Sequence, residues 1–532
     1  MYSECLPFTG IPHSSRLFLD YLYNLDRVRR FYAHPPLTRD WLPEQAAKVR
    51  ARYAEAQRQA VANALLRQNR AWNAPPEVIS NLGRLRNGAL AVVTGQQVGV
   101  LGGPLYSFYK ALSAVKVAAE YTAAGVESAP IFWLATEDHD FAEVSHAFLA
   151  DEHGEPHRIE IASTAPPDAP VGSIRLGAEI NSVLRQVEHL IGPSILEQAY
   201  APGQTLGSAF ARLLMCLFGR FGLIVLDPLD SELHQLAAPL LGNAARRADE
   251  LHAGLDARGK ELEASGYHAQ VKVAASSSLL FSLAGGRRVA IRRSNSHFVV
   301  GDRRLTAAEF AAEVEAAPEQ FSPNALLRPA MQDFLLPSVA VIAGPAEIAY
   351  WAQVAVLEDK LLGGVTPALP RFSATLVEPR CKRLLDRYQA RVADLFKGVE
   401  HTRELLAGRS LPSKLEETYR NSAGALDALI AAYSTELLQL DPTLSEAASR
   451  AAAKMRYQLQ RLHVRAARAG MRRHEDVVRH ADRLSAALYP NKTLQERVVA
   501  GVSFVARYGP DVLDALLDVA RPQCPDHQVV YL

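Results

Sequence analysis

The sequence predicts an α/β protein built on a parallel sheet, with inserted segments and a C-terminal helical arm. Two apolar runs, 89–93 and 130–135, are separated by a helix of about four turns, which is typical of a βαβ unit. Short alternating segments between residues 270 and 305 interrupt this pattern and predict an antiparallel meander. From about residue 376, apolar side chains recur in steps of three and four, as in long packed helices.

The composition is that of a globular protein with more than one compact unit. The 532 residues exceed the size of one ordinary domain. Hydrophobic residues make up 48%, and 58 Lys and Arg residues balance 57 Asp and Glu residues, which argues against nucleic acid or an anionic membrane as a partner. The chain has no signal-peptide pattern and no run of about 20 apolar residues, so we expect a cytoplasmic protein that does not span a membrane.

The four cysteines are far apart in the sequence. Cys5, Cys216, Cys381 and Cys524 form no C-x-x-C pair. This spacing argues against a disulfide framework or a structural zinc site and favours a reducing compartment. Cys216 lies in an apolar helical run and is predicted to be a buried packing residue, not a nucleophile.

A glycine-rich turn directly follows the first strand. It contains Gly95, Gly99 and Gly103, and Pro104 is predicted to open the next helix because proline suits the first helical position. Backbone N–H groups and the helix dipole make such a turn a place for an anion. The spacing matches neither strong nucleotide motif, so the glycines could equally serve to pack the helix against the sheet. Lys110, further along the helix, either reaches a phosphate or extends to solvent.

The second strand ends in the polar cluster Glu137-Asp138-His139-Asp140. This cluster lies at the same sheet edge as the glycine turn, where ligands of parallel sheets bind. A histidine flanked by carboxylates suits acid–base chemistry, because the carboxylates orient the ring and favour its protonated form. Adjacent residues of one loop rarely all face one ion, so we predict no metal site. A solvated surface turn is the alternative reading.

The sheet pattern continues in the second half of the chain. Residues 222–226 and 338–343 predict further strands, and Gly344-Pro345 starts a helix after the second of them. Glu347 falls in the first turn of that helix, where the dipole favours a carboxylate, although Glu347 could simply cap the helix.

A proline-punctuated segment precedes the strand at 338–343. Residues 322–333 predict a polar loop that presents Asn324, Arg328, Gln332 and Asp333. These side chains could bind a ligand, or Arg328 could pair with Asp333 on its own loop.

Three runs with heptad spacing, beginning at Cys381, Leu415 and Ala448, predict long packed helices. Ser413 and Glu416 predict a capping box for the second helix. The tail is predicted to return to the core and to end in an edge strand. The predicted ranges are 1–375 for the core, about 146–205 and 268–322 for its two insertions, 376–490 for the coiled-coil arm and 491–532 for the tail.

A set of short motifs occurs in order along the chain. They are Thr94-Gly-Gln-Gln-Val-Gly99, Gly103-Pro-Leu-Tyr106, Lys110, Phe132-Trp133, Glu137-Asp-His-Asp-Phe141, Ser322-Pro-Asn324, Arg328-Pro-x-Met-Gln332, Phe334-Leu-Leu-Pro337, Gly344-Pro-x-Glu-Ile-Ala-Tyr-Trp351, Leu494-Gln-Glu-Arg497, Tyr508-Gly-Pro510 and His527-Gln-Val-Val530. Together these motifs resemble the cysteine ligase family of bacillithiol biosynthesis, the BshC family. The similarity is colinear and extends to the C-terminus.

The resemblance implies a Rossmann-like core with inserted connecting segments, followed by a coiled-coil arm that mediates homodimerisation. It also implies the last step of bacillithiol synthesis, in which cysteine is added to the amine of glucosaminyl-malate. For amide formation from a free carboxylate we expect ATP as the activating cofactor, and Mg²⁺ can accompany the nucleotide.

The site is expected to combine anion binding with proton transfer. We hypothesise that the glycine turn and the following helix hold phosphate, with Lys110 or Arg328 offsetting negative charge. His139 would deprotonate the sugar amine, oriented by Asp138 or Asp140. The other predicted binding residues are Thr94, Gly95, Gln96, Gln97, Gly99, Gly103, Tyr106, Glu137, Asn324, Gly344, Glu347, Tyr350 and Trp351, of which the last two could instead belong to the core.

Two other classes of function fit the same sequence. One is a nucleotide-dependent ligase or transferase that joins a different amine and acid, and it would not require cysteine. The other is a non-catalytic scaffold whose coiled-coil arm binds a partner and whose sheet senses a ligand. A scaffold has no need of the Glu-Asp-His-Asp cluster at a strand end, which favours an enzyme.

Overall fold

A computed structural model of the chain describes residues 1–294, 297–411, 413–471 and 475–532. Its contacts define two compact units, which we call the core unit and the arm unit. The core unit comprises residues 1–152, 156–375 and 496–530, and the arm unit comprises 153–155, 376–495 and 531–532.

The strands of the described chain are short, and most of them belong to the core unit. They are β1 Tyr2–Leu6, β2 Leu90–Gln96, β3 Ser128–Leu134, β4 His146–Ala150, β5 Pro156–Glu160, β6 Ile224–Leu226, β7 Ser277–Ser282, β8 Val289–Ser294, β9 His297–Val300, β10 Arg303–Thr306, β11 Phe321–Pro323, β12 Ser338–Ala343, β13 Ala368–Pro370, β14 Ala374–Val377 and β15 His527–Tyr531.

Helices connect these strands and make up most of the arm unit. They are α1 Arg16–Tyr23, α2 Leu42–Arg52, α3 Glu55–Ala71, α4 Pro76–Arg86, α5 Tyr106–Ala123, α6 Phe141–Val144, α7 Ile180–Ile191, α8 Leu196–Ala199, α9 Leu206–Phe218, α10 Ser231–Arg246, α11 Ala248–Ala264, α12 Ala307–Ala316, α13 Leu327–Leu335, α14 Pro345–Leu362, α15 Pro379–Arg387, α16 Val392–Leu395, α17 Val399–Gly408, α18 Ser413–Leu440, α19 Ser445–Met471, α20 Glu475–Leu488, α21 Gln495–Val498, α22 Val502–Tyr508 and α23 Val512–Val519.

The central sheet of the core unit is parallel, with the strand order β13-β12-β2-β3-β6. Four of these strands coincide with the predicted apolar runs, which confirms the α/β class. The sequence missed β13, because a strand of three residues is too short to show a period. One core cluster joins α2, α5, β2 and β12 through side chains that include Leu42, Val92, Ala114 and Ile342.

Both insertions carry antiparallel strands. In the first, β4 pairs with β5. In the second, the order β10-β9-β8-β7-β11 forms an antiparallel sheet, as the short alternating segments predict. A third sheet, in the order β1-β15-β14, brings the two ends of the chain side by side.

The arm unit contains a long helical hairpin, α18 and α19. The Tyr419 and His463 rings stack with centroids 4.0 Å apart, and the Arg456 Nε atom lies 2.7 Å from the Asp427 carboxylate. The two heptad runs beginning at Leu415 and Ala448 are therefore confirmed as long helices.

Several local predictions are wrong. Helix α5 begins at Tyr106 and not at Pro104, because Pro104 forms a bridge with Ala500 instead. The predicted loop at 322–333 contains helix α13, whose residues Gln332 and Asp333 are buried.

The arm and the tail also differ from the sequence-based expectation. The first heptad run of the arm is split into the short helices α15, α16 and α17. The C-terminal strand β15 lies between β1 and β14 and is not an edge strand, since the N-terminus supplies a strand that the helical pattern of residues 1–85 conceals. The capping box predicted at Ser413 involves a side chain outside the described part of the chain. None of the described helices is long and apolar enough to cross a membrane.

Candidate active site

A cavity of about 590 Å³ lies at the carboxyl ends of β2, β3 and β12. This is the edge at which parallel sheets bind their ligands. Its lining includes most of the predicted site residues together with several that the sequence did not single out. The polar and aromatic lining residues are Gln96, Gln97, Tyr106, Lys110, Trp133, Glu137, Asp138, His139, Glu143, Phe281, Arg288, Asn324, Arg328, Glu347, Tyr350, Arg371 and Arg497, and Gly95 and Gly344 contribute backbone.

The glycine turn serves mainly to pack the chain. A Cβ atom on Gly99 would come within 3.0 Å of the Gly103 Cα atom, and Gly103 has a φ of +64°, so the turn folds closely on itself. The Leu105 N–H group donates to the Val499 carbonyl over 2.8 Å, so the tail covers the start of α5. That bond occupies only the Leu105 N–H group, which precedes α5, and Gly95 lines the cavity whereas Gly99 and Gly103 do not, so the phosphate site at this turn stays a prediction.

Three other predicted site residues also lie outside the cavity lining. The buried Thr94 hydroxyl donates to the Ile342 carbonyl over 3.0 Å, and the buried Trp351 Nε1 donates to the Thr366 carbonyl over 3.1 Å. Asp140 is exposed and accepts from the Glu143 N–H group over 3.1 Å, which caps α6. These residues make framework contacts, and none of the three lines the cavity.

Lys110 connects the ends of two parallel strands. Its ammonium group donates to the Gly95 carbonyl over 2.6 Å and to Gln96 Oε1 over 2.8 Å, and it lies 2.5 Å from Glu347 Oε2. The same Glu347 oxygen accepts from the Gly344 N–H group over 2.7 Å. Burial lowers the pKa of Lys110, and Glu347 opposes that shift. All three ammonium protons thus have acceptors, so Lys110 holds the site together instead of offering a free charge.

Asp138 and His139 share a cation that the sequence did not suggest. Asp138 accepts from Gln97 Nε2 over 2.5 Å and from Arg288 Nη1 over 3.1 Å. Arg288 Nη1 also lies 3.1 Å from His139 Nδ1. A guanidinium can only donate, so His139 Nδ1 is an acceptor and the neutral ring carries its proton on Nε2. The predicted role of His139 as a base requires the opposite tautomer.

Arg288 is held by the second insertion. Its Nε donates to the Ser322 hydroxyl over 3.1 Å and its Nη2 to the Pro323 carbonyl over 2.8 Å. The guanidinium carbon lies 3.9 Å from the centre of the Phe281 ring, a cation–π contact. Burial lowers the pKa of Arg288, while Asp138 and Glu137 oppose the shift. The antiparallel sheet thus supplies a positioned cation to the end of β3.

Glu137 forms a buried ion pair with His234 of α10. Its Oε1 lies 3.1 Å from His234 Nε2, while His234 Nδ1 lies 3.0 Å from the Pro318 carbonyl. A carbonyl only accepts, so His234 Nδ1 carries a proton, and protonation of Nε2 gives a cation beside the Glu137 carboxylate, although neither Nε2 nor Glu137 Oε1 has a hydrogen bond. Burial lowers the pKa of His234, but the Glu137 carboxylate outweighs burial, and the pKa is raised.

The C-terminal tail contributes a second buried ion pair. Arg371 donates to Glu496 through Nη2 over 2.5 Å and through Nη1 over 3.0 Å, and both side chains are almost fully buried. Glu496 also accepts from the Ser373 hydroxyl over 2.9 Å and from the Ala374 N–H group over 3.0 Å. Burial raises the pKa of Glu496, but Arg371 more than offsets this effect and leaves the pKa below its ordinary value.

His527 completes this second network as a neutral ring. The Ser373 hydroxyl gives its proton to Glu496, so its oxygen accepts from His527 Nδ1 over 2.8 Å. The Thr375 hydroxyl lies 2.9 Å from His527 Nε2 and donates to it. Burial lowers the pKa of His527 to about 4, which keeps the ring neutral beside Arg371.

Helix α13 places Arg328 in the cavity wall. Asn324 Oδ1 accepts from the Leu327 N–H group over 2.9 Å, which fixes the start of the helix. Arg328 then donates to Gln332 Oε1 over 3.0 Å, and Gln332 donates to Asp333 over 3.0 Å. The next residue in this chain of contacts is Glu358, and burial together with the neighbouring Asp333 raises its pKa well above the ordinary value. Gln332 and Asp333 are buried, support Arg328 through this chain of hydrogen bonds and lie outside the cavity lining.

The residues that sequence reasoning missed come from distant segments. Arg288 precedes β8 in an insertion, His234 lies on a helix after β6, and Arg371 follows the short β13. No periodicity or local motif marks these positions. Glu496 and Arg497 occur in one of the quoted family motifs, so the resemblance pointed to them without giving a role.

An open parallel α/β domain with a mixed-charge cavity at its strand ends is the architecture of a Rossmann-like enzyme. The family described as "Bacillithiol biosynthesis BshC" matches this chain with its N-terminal Rossmann-like domain over residues 1–370 and its C-terminal coiled-coil domain over residues 374–532. The chain belongs to this BshC family, whose members are ligases.

Similar proteins extend over nearly the whole chain. A protein of Koribacter versatilis (strain Ellin345) is 45% identical and one of Solibacter usitatus (strain Ellin6076) is 39% identical, each over 100% of both chains. A third, of Salinibacter ruber (strain DSM 13855 / M31), is 32% identical over 97% of this chain and 96% of its own. All three are named "Putative cysteine ligase BshC".

The buried ion pair between His234 and Glu137 predicts a pH-dependent contribution to stability. Because the folded-state pKa of His234 is raised, the contribution is complete below the unfolded value of about 6.5 and is lost as pH rises through the folded value. We expect His234→Gln to cost about 1.5–3 kcal/mol at pH 6, the range for hydrogen bonds to charged groups, and less at pH 9. Thermal unfolding of variant and wild type across this range measures the difference.

A matched control is His189→Gln, which changes an exposed histidine of α7 and should leave stability unchanged at every pH. Comparison with wild type also cancels the contribution of Asp227, whose pKa burial raises to about 6. A stability difference for His234→Gln that does not depend on pH would contradict the assigned cation.

Proposed function

We propose that this chain adds L-cysteine to the amine of glucosaminyl-malate to form bacillithiol, with ATP activating the cysteine carboxylate. The relatives' name supports cysteine as the acid component. The observation that carries the proposal is a cavity lined by both cationic and carboxylate side chains. The substrate is free cysteine, so we place the reaction in the reducing cytoplasm, consistent with the four unbridged cysteines.

The charge pattern of the cavity matches an amine that carries carboxylates. Arg371 and Arg497 flank the Tyr106 ring, with guanidinium carbons 5.5 and 5.9 Å from its centre, and α14 begins beside them at Gly344. These groups and the helix N-terminus suit the malate carboxylates or a phosphate. The same lining carries the carboxylates of Glu137, Asp138 and Glu143, which suit an ammonium group and sugar hydroxyls.

Activation of the carboxylate is the part of the reaction that needs a nucleotide. When bound, ATP supplies a phosphoryl or adenylyl group that turns the carboxylate oxygen into a leaving group. Arg328, Arg497 and the first turn of α14 would hold the phosphates. Among the described lining residues, no three His, Cys, Asp or Glu ligand atoms lie within 4.8 Å of one another, so we propose that Mg²⁺ enters with the nucleotide.

Proton transfer is assigned from the hydrogen-bond pattern. His139 Nδ1 accepts from Arg288, so its Nε2–H group donates to the oxyanion that forms when the amine attacks the acyl carbon. Glu143 accepts the proton that the amine loses, since burial and the nearby Asp138 and Asp140 carboxylates raise its pKa. Asp138 and Gln97 hold the side chains of Arg288 and His139 in position.

Substitutions at His139 and Glu143 separate these roles. The His139→Gln amide can place an N–H donor near the position of Nε2, whereas His139→Ala cannot. We expect kcat to fall about 10²–10³-fold in His139→Ala, the cost of losing one oxyanion donor, and much less in His139→Gln. Glu143→Gln should lower kcat about 10²–10⁴-fold and remove the acidic limb of the pH profile. Product formation followed by mass spectrometry gives these rates.

Asp140→Asn is the comparison variant, since Asp140 is exposed, caps α6 and lies outside the cavity lining, yet its charge raises the Glu143 pKa. It should keep wild-type turnover at high pH and move the acidic limb to lower pH, because the pKa of Glu143 falls. If His139→Gln were as inactive as His139→Ala while Glu143→Gln stayed active, His139 would be the base and the assignment would be overturned.

We also propose that the arm unit pairs with a second copy of the chain. Helices α18 and α19 leave large apolar side chains exposed along the heptad positions, although the two helices pack on each other. Leu429 and Tyr433 are 63% and 66% exposed on α18, and Leu462 is 64% exposed on α19. A heptad seam that one hairpin does not cover suits a helical partner of the same kind.

Charges placed on this seam test the pairing. The double variant Leu429→Glu, Tyr433→Glu should shift the mass measured by light scattering from dimer to monomer, because it buries two charges in an apolar interface. The double variant Asn421→Glu, Gln439→Glu adds the same charge at exposed polar positions of α18 and should remain dimeric. Equal masses for wild type and the seam variant, both monomeric, would refute the proposal.

A further inference from the structure

The two ends of the chain bring two thiols into contact far from the cavity. Cys5 lies in β1, and Cys524 lies just before β15, the strand beside β1 in the terminal sheet. Their Sγ atoms are 3.4 Å apart, although 519 residues separate the cysteines in sequence. The spacing along the chain, which argued against a disulfide framework, concealed this proximity.

The surroundings of the two thiols differ. Cys5 is exposed, whereas Cys524 is partly buried. A carboxylate oxygen of Asp526 and the two sulfur atoms all lie within 4.8 Å of one another, and the Tyr23 hydroxyl donates to Asp526 over 2.7 Å. Burial, the adjacent Cys5 thiol and the Asp526 carboxylate raise the pKa of Cys524 to about 11, although the Asp526 backbone amide opposes the shift.

We propose that Cys5 and Cys524 are a reversible disulfide-forming pair that low-molecular-weight disulfides oxidise. Cys5 is the attacking group because it is exposed to solvent, and Cys524 is the resolving group because it is already in contact with Cys5. This assignment stands independently of the reaction in the cavity.

The oxidation proceeds in two exchanges. The Cys5 thiolate attacks one sulfur of the small disulfide, forms a mixed disulfide and releases one small thiolate. Cys524 then loses its proton to solvent and attacks Cys5 Sγ, which forms the internal bond, breaks the mixed disulfide and releases the second small thiolate. The protein loses two electrons and two protons, and one small disulfide becomes two small thiols.

The bond would fix the terminal sheet. Strand β15 begins with His527, three residues after Cys524, and His527 braces Ser373 and Thr375 in the network around Arg371. A covalent connection between β1 and the start of β15 therefore restrains a strand that supports the cavity wall. It also closes a loop of almost the whole chain, which restricts the unfolded state.

Thiol mapping with cystine as the small disulfide tests the pair. Reduced full-length protein is incubated with increasing cystine-to-cysteine ratios, the remaining thiols are alkylated, and the digested protein is analysed by mass spectrometry. We expect a linked Cys5–Cys524 peptide two mass units below the sum of its parts, and no linked peptide that contains Cys216 or Cys381. The unfolding temperature should rise by several degrees and return to its original value with dithiothreitol.

Two single variants make the result specific. Cys5→Ser should abolish both the linked peptide and the shift in unfolding temperature. Cys216 of α9 is exposed, so its prediction as a buried residue is wrong, and Cys216→Ser should preserve both results. The proposal is overturned if Cys5 stops at the mixed disulfide, if linkage occurs only between chains, or if the purified protein holds zinc that Cys5→Ser releases.

Discussion

The buried ion pair between Arg371 and Glu496 is the interaction on which the site depends. Removing two charges from water costs several kcal/mol for each ion, and a buried pair persists only when every polar atom finds a partner. Here Arg371 and the hydrogen-bond donors of Ser373 and Ala374 all converge on one carboxylate. Because Glu496 starts the C-terminal tail and Arg371 follows the last strand of the sheet, the cavity is complete only when the tail has docked.

Other charged side chains around the cavity also connect separate segments of the chain. Lys110 ties the end of β2 to α14, and His234 ties Glu137 to α10. Arg288 reaches from the second insertion to the end of β3. Each contact joins segments that are distant in sequence, and at least one member of each pair lines the cavity. The charges near the ligand are therefore preorganised by the fold, which is how an active site stabilises charge that develops during reaction.

How much of the structure can be predicted from the sequence depends on how far apart in the sequence the interacting residues lie. The hydrophobic period is a local property of the sequence. It therefore predicts the parallel strands, the sheet edge at which ligands bind and the long helices of the arm. The functions of Gly99 and Gly103 could not, because a glycine that binds a phosphate and one that allows close packing look alike in sequence. Arg371 and Glu496 lie 125 residues apart, and only the fold brings them together.

The family resemblance supplied the reaction class, and the structure supplied the constraints on each role. Asp140 and Trp351 belong to motifs that resemble the family, yet both are outside the cavity lining and hold neighbouring backbone in place. Glu143 belongs to none of these motifs, yet it lines the same cavity as His139.

The central claim is that this protein activates the carboxylate of cysteine and joins it to an amine. The most direct measurement uses cysteine labelled with ¹⁸O in both carboxylate oxygens, together with glucosaminyl-malate, ATP and the purified protein. Our account predicts one labelled oxygen in the released AMP or phosphate for each amide formed. Amide formation with no ¹⁸O in the released AMP or phosphate, or no amide at all, would contradict it.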